Sequence, residues 1–87
     1  MWNYRVVSRP VGDERISGIH EAYYDDEGRV WGVTAEPVPL VDDNVTDLQK
    51  SYLSVASAFL RPQLAIENIP EPGAINPADE VERKGEP

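Results

Sequence analysis

The feature that most constrains the fold is the tetrapeptide Asp25-Asp26-Glu27-Gly28. A short acidic stretch that ends in glycine is typical of a three-residue hairpin loop with a bulge, because glycine adopts the positive φ that the last loop position needs. The runs on either side, Ile16 to Tyr24 and Arg29 to about Ala35, are rich in β-branched and aromatic residues. The sequence therefore predicts two antiparallel strands, with Asp25 facing Arg29 across the loop.

A third strand is predicted at the start of the chain. Trp2, Tyr4 and Val6 alternate with residues that point the other way, which is the period-2 pattern of a strand. Pro10 and Gly12 end this run, and we expect residues 11–15 to form a polar loop. Together the three strands predict an antiparallel meander.

The predicted pairing of Tyr23 with Trp31 divides the meander into two faces. One face carries Ile19, Glu21, Tyr23, Trp31, Val33 and Ala35, and the other carries Gly18, His20, Ala22, Tyr24, Val30, Gly32 and Thr34. The first face is the more apolar, so we expect it to be buried. The small residues of the second face could instead accommodate a helix.

One helix is predicted after the proline-containing connection of residues 36–39. Asn44 is a preferred N-cap residue, and Asp47 can complete a capping box three residues later. Apolar residues then recur at spacings of three and four up to Arg61 and Pro62, namely Val45, Leu48, Tyr52, Val55 and Phe59. We therefore expect an α+β fold, in which a three-stranded antiparallel meander is covered by one C-terminal helix (β-β-β-α). Residues 63–66 could add a short strand.

The composition changes at residue 70, where prolines, glycines and acidic residues replace the apolar residues. Such a segment buries too little apolar surface to offset its ordering entropy. The sequence therefore predicts a domain over residues 1–69 and a disordered Pro/Glu-rich tail over residues 70–87.

Charge and cysteine content narrow the classes of partner. The formal net charge is −8 and no run of Lys or Arg is present, which argues against nucleic acid as a partner. The chain shows neither an apolar stretch of membrane-spanning length nor the pattern of a signal peptide, so we expect no membrane association and a cytoplasmic location. The absence of cysteine excludes disulfides, thiolate metal sites and cysteine nucleophiles.

Signals for catalysis are weak. The sequence has no Gly-rich phosphate loop and no Gly-x-Ser-x-Gly motif, and His20 is its one histidine. The neighbouring Glu21 points to the opposite face of the strand, so the two side chains cannot act on one atom. We expect no catalytic residue, no cofactor and no metal site, and we interpret the acidic residues 25–27 as turn chemistry.

A candidate binding patch lies on the second face of the predicted sheet. Arg5, His20, Tyr24 and Thr34 would border a shallow strip of small residues, where an anionic or peptide ligand could lie. The alternative is an ordinary solvated sheet face, which needs the same mixture of polar and small residues.

Two functions follow as hypotheses. The first is a noncatalytic protein-interaction module that binds a protein partner or a second copy of itself in a weak homodimer, through strand 29–35 or through the open sheet face. The second is a small-molecule or peptide binder, or a minor enzyme, that uses the four residues of the patch.

The segment of residues 18–25, Gly-Ile-His-Glu-Ala-Tyr-Tyr-Asp, is followed by Gly28, Thr34, a Glu-Pro-Val connection and the capped helix. This arrangement resembles a family of small bacterial hypothetical proteins of β-β-β-α architecture over about residues 2–62. A weaker likeness is to HicB-type antitoxins, from which the chain departs in its long first strand and in having no appended DNA-binding domain. The first resemblance implies the architecture and a bacterial cytoplasmic origin, and the second implies an antitoxin-like, partner-binding role.

Overall fold

The protein is described here by a computed structural model, which describes residues 1–75 of the chain. Its strands and helices are β1 (Trp2–Val11), β2 (Glu14–Tyr24), β3 (Val30–Thr34), α1 (Val45–Ala56), a first 3₁₀ helix (Ser57–Leu60), β4 (Leu64–Ala65), a second 3₁₀ helix (Ile66–Asn68) and β5 (Glu71–Ile75). Within residues 1–75 the strands form one sheet in the order β4-β1-β2-β3-β5. The predicted α+β class is confirmed.

Strands β1 and β2 form a longer hairpin than the sequence predicts. Val11 pairs with Glu14, so the loop contains Gly12 and Asp13 alone, and Gly12 has a φ of 60°. Glycine with positive φ at the first of two loop positions is the signature of a type II′ turn, whose twist matches that of the strands. The predicted loop over residues 11–15 is therefore wrong. Pro10 is tolerated inside β1 because β4 pairs with β1 at Val7 and Ser8, away from it.

The hairpin between β2 and β3 begins as predicted. Asp25 N–H donates to the Arg29 carbonyl at 2.8 Å, Gly28 N–H donates to the Asp25 carbonyl at 3.0 Å, and Gly28 has a φ of 82°. Farther from the loop the register changes, because Tyr24 pairs with Val30 whereas Tyr23 pairs with Gly32. The bulge leaves Trp31 as the extra residue, so the predicted pairing of Tyr23 with Trp31 is wrong.

The bulge brings Val33 onto the face of Ala22, and this face is the buried one. The core consists of Val7, Ala22, Val33 and Ile69, with Tyr24, Val30, Leu64 and Ile66 packed against it. The predicted choice of the face that carries Tyr23 as the core is therefore wrong. Tyr23 and Glu21 are nevertheless buried, and the Tyr23 hydroxyl donates to Glu21 at 3.0 Å.

The segment after α1 crosses the core face from one sheet edge to the other. β4 pairs with β1 in parallel, and β5 pairs with β3 in parallel. In a flat sheet the two outer strands would lie ~19 Å apart. From Ala65 to Glu71 the chain advances six residues, and three of them are in the second 3₁₀ helix. A 3₁₀ helix rises only ~2 Å per residue, so the segment reaches ~16 Å and the sheet must curve around it.

This crossing extends the ordered part of the chain beyond the predicted domain boundary. Strand β4 lies inside the stretch that could add a short strand, whereas β5 occupies residues 71–75, which the sequence assigns to the tail. Parallel pairing with β3 satisfies the backbone of this segment, and its composition does not reveal such pairing. The remainder of the predicted tail, residues 76–87, lies outside the described residues.

Helix α1 begins as predicted but packs differently. The Asn44 side chain accepts a hydrogen bond from Asp47 N–H at 2.9 Å, which confirms the N-cap. Val55, near the end of α1, and Ala58, in the first 3₁₀ helix, are the buried residues of these two helices. The first 3₁₀ helix contacts β1. The helix therefore does not cover the core face, which the crossing segment already occupies. No helix among residues 1–75 is long and apolar enough to span a membrane.

Candidate functional site

The structure buries three of the four residues of the predicted patch and leaves the fourth half-buried. Arg5 is 9% exposed, His20 2% and Thr34 0%, and Tyr24 is half-buried. Arg5 and His20 are direct neighbours across β1 and β2. The residues form two bonded pairs, one of Arg5 with Tyr24 and one of His20 with Thr34.

Arg5 joins the sheet to the segment that follows the first 3₁₀ helix. Its Nη1 donates to the Tyr24 hydroxyl at 2.8 Å, and Nε and Nη2 both donate to the Pro62 carbonyl, at 3.1 and 2.7 Å. The Tyr24 hydroxyl in turn donates to Asn3 Oδ1 at 2.8 Å. A guanidinium suits this position because its planar fork offers several donors in fixed directions. The polar atoms of this pair are therefore engaged within the chain.

His20 holds the connection that leaves β3. Its Nδ1 lies 3.0 Å from the Thr34 carbonyl, which can only accept, so Nδ1 carries the proton. The Thr34 hydroxyl donates to the Glu36 carbonyl at 2.8 Å. Burial lowers the pKa of His20 below its ordinary value, and the hydrogen bond to Thr34 opposes this shift. The imidazole is therefore favoured in its neutral form.

The strip of small residues next to these pairs is filled by the chain itself. A Cβ added to Gly18 would meet the Pro37 side chain at 3.2 Å, so Pro37 lies directly over this glycine. Val38 N–H donates to the Ile19 carbonyl at 2.8 Å and fixes the connection against β2. Ala22 is fully buried in the core cluster that includes Ile69. The face predicted to be open is thus covered by residues 37–38 and by the crossing segment.

The acidic hairpin loop is occupied by its own turn bonds. Asp25 Oδ1 accepts from Glu27 N–H at 2.9 Å and from Arg29 N–H at 3.0 Å, and the bond from Arg29 N–H is the main reason that the pKa of Asp25 lies below its ordinary value. Arg29 also forms ion pairs with Asp25 and Glu27. Among residues 1–75, no group of three or more His, Asp or Glu side chains is arranged to hold a metal ion.

A further feature of residues 1–75 is an apolar surface on α1 and the first 3₁₀ helix, which we call the helix face. It consists of side chains that are more than half exposed: Val45 (69%), Tyr52 (55%), Leu53 (77%), Phe59 (71%) and Leu60 (86%). An open depression of about 530 Å³ lies on it, lined by Val45, Leu48, Gln49, Tyr52 and Leu53. These spacings of three and four place the lining on one side of a single helix.

Charged residues are absent from this side of α1. At about 100° per residue, Val45, Tyr52 and Ala56 project in nearly the same direction, whereas Asp47 and Lys50 project to the far side. Val55 projects between these directions, and it is the residue of α1 whose side chain is buried within the chain. A contiguous apolar patch of this kind usually marks an interaction site in a soluble protein.

Sequence reasoning found most residues of the helix face but assigned them to the core. Val45, Tyr52 and Phe59 belong to the predicted stripe and Leu60 widens it, whereas Leu53 was not predicted. The stripe is wider than one contact with a sheet needs, and this extra width indicates a second contact.

No family model, no curated protein and no solved structure matches the chain.

Proposed function

We propose that the protein is a noncatalytic protein-interaction module, which works in the bacterial cytoplasm and binds its partner through the helix face. The observation that carries this proposal is that five of the nine exposed large apolar side chains of residues 1–75 belong to α1 and the first 3₁₀ helix. Aromatic and aliphatic anchors without nearby charge are the usual centre of a protein interface.

The hydrogen bonds at the two ends of α1 support this role. Asn44 caps its first turn. At the other end, Arg61 Nη1 donates to the Ser57 carbonyl at 2.9 Å and to the Tyr4 carbonyl at 3.5 Å, which ties the first 3₁₀ helix to β1. The helix is therefore capped at its start and tied to β1 at its end, and a surface held in its binding conformation loses less entropy when a partner docks. The β1-β2-β3 meander serves as the scaffold.

The polar patch supports a scaffold role for the sheet. Arg5, Tyr24, His20 and Thr34 bond to one another or to nearby backbone carbonyls, and Pro37 covers the adjacent strip. A ligand in this region would have to displace those internal bonds.

An antitoxin-like role is one form of the same proposal, with a toxin protein as the partner.

The test compares two substitutions on neighbouring residues of α1. Leu53→Glu places a carboxylate in the helix face, whereas Ser54→Glu places one on the exposed opposite side. Tagged full-length variants would be cross-linked in a bacterial cell and the bound proteins quantified, other copies of the chain included. We expect a protein that is captured by the wild type and by Ser54→Glu but not by Leu53→Glu. Equal capture by all three would overturn the proposal, and circular dichroism would check that both variants fold.

A further inference from the structure

We propose that the occupant of the helix face is a second copy of this chain, joined through antiparallel α1 helices about a two-fold axis. This inference rests on the proposed function, because it names the partner for the same surface. It is carried by the composition of the chain, by the size of the face and by the order of residues along it.

Residues 76–87 are too polar in composition to cover the helix face. The residues beyond the described part, 76–87, contain Val81 as their one large apolar residue, against four acidic and two basic side chains. Such a segment cannot cover five large apolar side chains. A membrane surface is also disfavoured, because the net charge is −8 and Lys50 is the one basic residue within α1.

The size of the face fits a weak dimer. Five large side chains that are each more than half exposed present on the order of 500 Å² of apolar surface. Two copies would then bury about 1,000 Å² in total, which is the lower limit for a specific interface. The dimer should therefore form at high protein concentration and dissociate on dilution.

The residues of the helix face are complementary to themselves when two copies run antiparallel. With the axis between Tyr52 and Leu53, Val45 of one copy lies opposite Leu60 of the other, and the long Gln49 lies opposite the small Ala56. A two-fold axis repeats each of these contacts. Large side chains thus meet small or medium ones along the whole length.

Charge at the two ends of α1 favours the same orientation. Asp42 and Asp43 precede the helix, and Arg61 follows the first 3₁₀ helix. Antiparallel pairing brings Arg61 of one copy towards the two acidic residues of the other. Parallel pairing would instead place the acidic ends together and align the helix dipoles.

Cysteine cross-linking tests this geometry directly, because the chain has no native cysteine. Leu53→Cys lies near the proposed axis, so we expect it to form a disulfide-linked dimer under mild oxidation. Ser54→Cys, one residue away on the opposite side, should link at least tenfold more slowly. The double variant Gln49→Cys with Ala56→Cys should link, whereas Gln49→Cys alone should not. Equal rates at residues 53 and 54, or efficient linking of Gln49→Cys alone, would overturn the proposal.

Sedimentation of the purified full chain gives a second readout. We expect reversible dimerisation at sub-millimolar concentration, strengthened by added salt because screening weakens the repulsion between two chains of charge −8. Leu53→Glu should weaken it at least tenfold, because the axis brings the two new carboxylates together. A strict monomer at millimolar concentration would overturn the dimer.

The proposed function would survive that result if Leu53→Glu still abolished capture of a different protein in the cell. If the wild type captured no protein, the proposed function would be overturned together with the dimer.

Discussion

Two apolar surfaces of this protein differ in what covers them. On the sheet, Val7, Ala22 and Val33 are almost completely buried, with Ile69 from the crossing segment in the same cluster. On α1 and the first 3₁₀ helix, side chains of similar size are left in solvent. Both surfaces are built from residues with the periodicity of a core. Periodicity therefore marks a surface as apolar, and it does not tell whether the same chain covers that surface.

The connections of the chain explain the difference. After α1 the chain forms β4 at one edge of the sheet and then reaches β5 at the other edge within a few residues. Those residues pass over the core face, where Ile69 packs, so they leave no room there for α1. The helix is left at the side, where Val55 and Ala58 provide its buried contacts. A short connection has thus decided which apolar surface became the core.

The sharpest test of this contrast compares one isoleucine with one leucine. Ile69→Ala removes a buried side chain from the core, and we expect a loss of about 2 to 5 kcal/mol in the free energy of unfolding. Leu53→Ala shortens an exposed side chain, and we expect a change within about 0.5 kcal/mol in the dilute monomer. Urea titration at low protein concentration measures both. A similar loss in the two variants would mean that the helix face is packed within the chain.

Arg5 provides the next largest expected effect. Arg5→Lys keeps the charge but loses the fork that reaches the Pro62 carbonyl and the Tyr24 hydroxyl together, so we expect a loss of about 1.5 to 3 kcal/mol. Tyr24→Phe removes one hydroxyl of the same network and should cost about 0.5 to 1.5 kcal/mol. Unfolding titrations would measure both losses. Unchanged stability in Arg5→Lys would favour a ligand-binding role for this arginine.

Local signals explain what the sequence predicted well. The loop at Asp25 and Gly28 and the N-cap at Asn44 depend on residues within four positions of one another, so their geometry follows from the residue types. The connectivity of the meander also follows, because short loops join neighbouring antiparallel strands. Arg5 and His20, which the sequence placed on one face of the sheet, are direct neighbours across β1 and β2.

Long-range contacts explain what the sequence did not predict. The bulge at Trp31 reverses the face of Val33, and the neighbouring Gly32, a residue type that often marks a bulge, does not fix where the extra residue falls. The strand at residues 71–75 depends on a partner strand far away in the chain. The burial of the patch was also out of reach, because Pro37 and the crossing segment cover that face only after the chain has folded.

His20 offers a pH-dependent test of the covered face. Burial lowers the pKa of His20 in the folded state below its ordinary value of 6.5. As the pH falls below 6.5, the unfolded chain therefore takes up a proton on His20 before the folded chain does. The folded state loses stability over this range, from pH 6.5 down to the lower pKa of His20 in the folded state. Stability should be unaffected by this group above about pH 7.5.

An NMR titration of the lone histidine would measure its pKa directly. In denaturation experiments, His20→Gln should have a shallower loss of stability between pH 7 and pH 5 than the wild type. A titration midpoint at or above 6.5 in the folded protein would show that water reaches this imidazole and that the face is open.

The smallest expected effect concerns the ion pair that holds the crossing segment. Arg15 donates to both carboxylate oxygens of Glu67, at 2.7 and 2.9 Å, and to the Ser8 hydroxyl at 3.0 Å, so it links β2, β1 and the second 3₁₀ helix. The hydrogen bonds from Arg15 lower the pKa of Glu67 from 4.5 to about 2. Their contribution is present above pH 4.5 and is lost as the pH falls towards 2. Both groups are about half exposed, so solvent and salt should keep the contribution small.

The difference in stability between the wild type and Glu67→Gln should shrink over this pH range. The exposed Glu14→Gln on the same hairpin serves as the control. A difference that stays constant down to pH 2 would show that Arg15 does not hold the carboxylate and that the crossing segment is retained by Ile69 and its apolar neighbours alone.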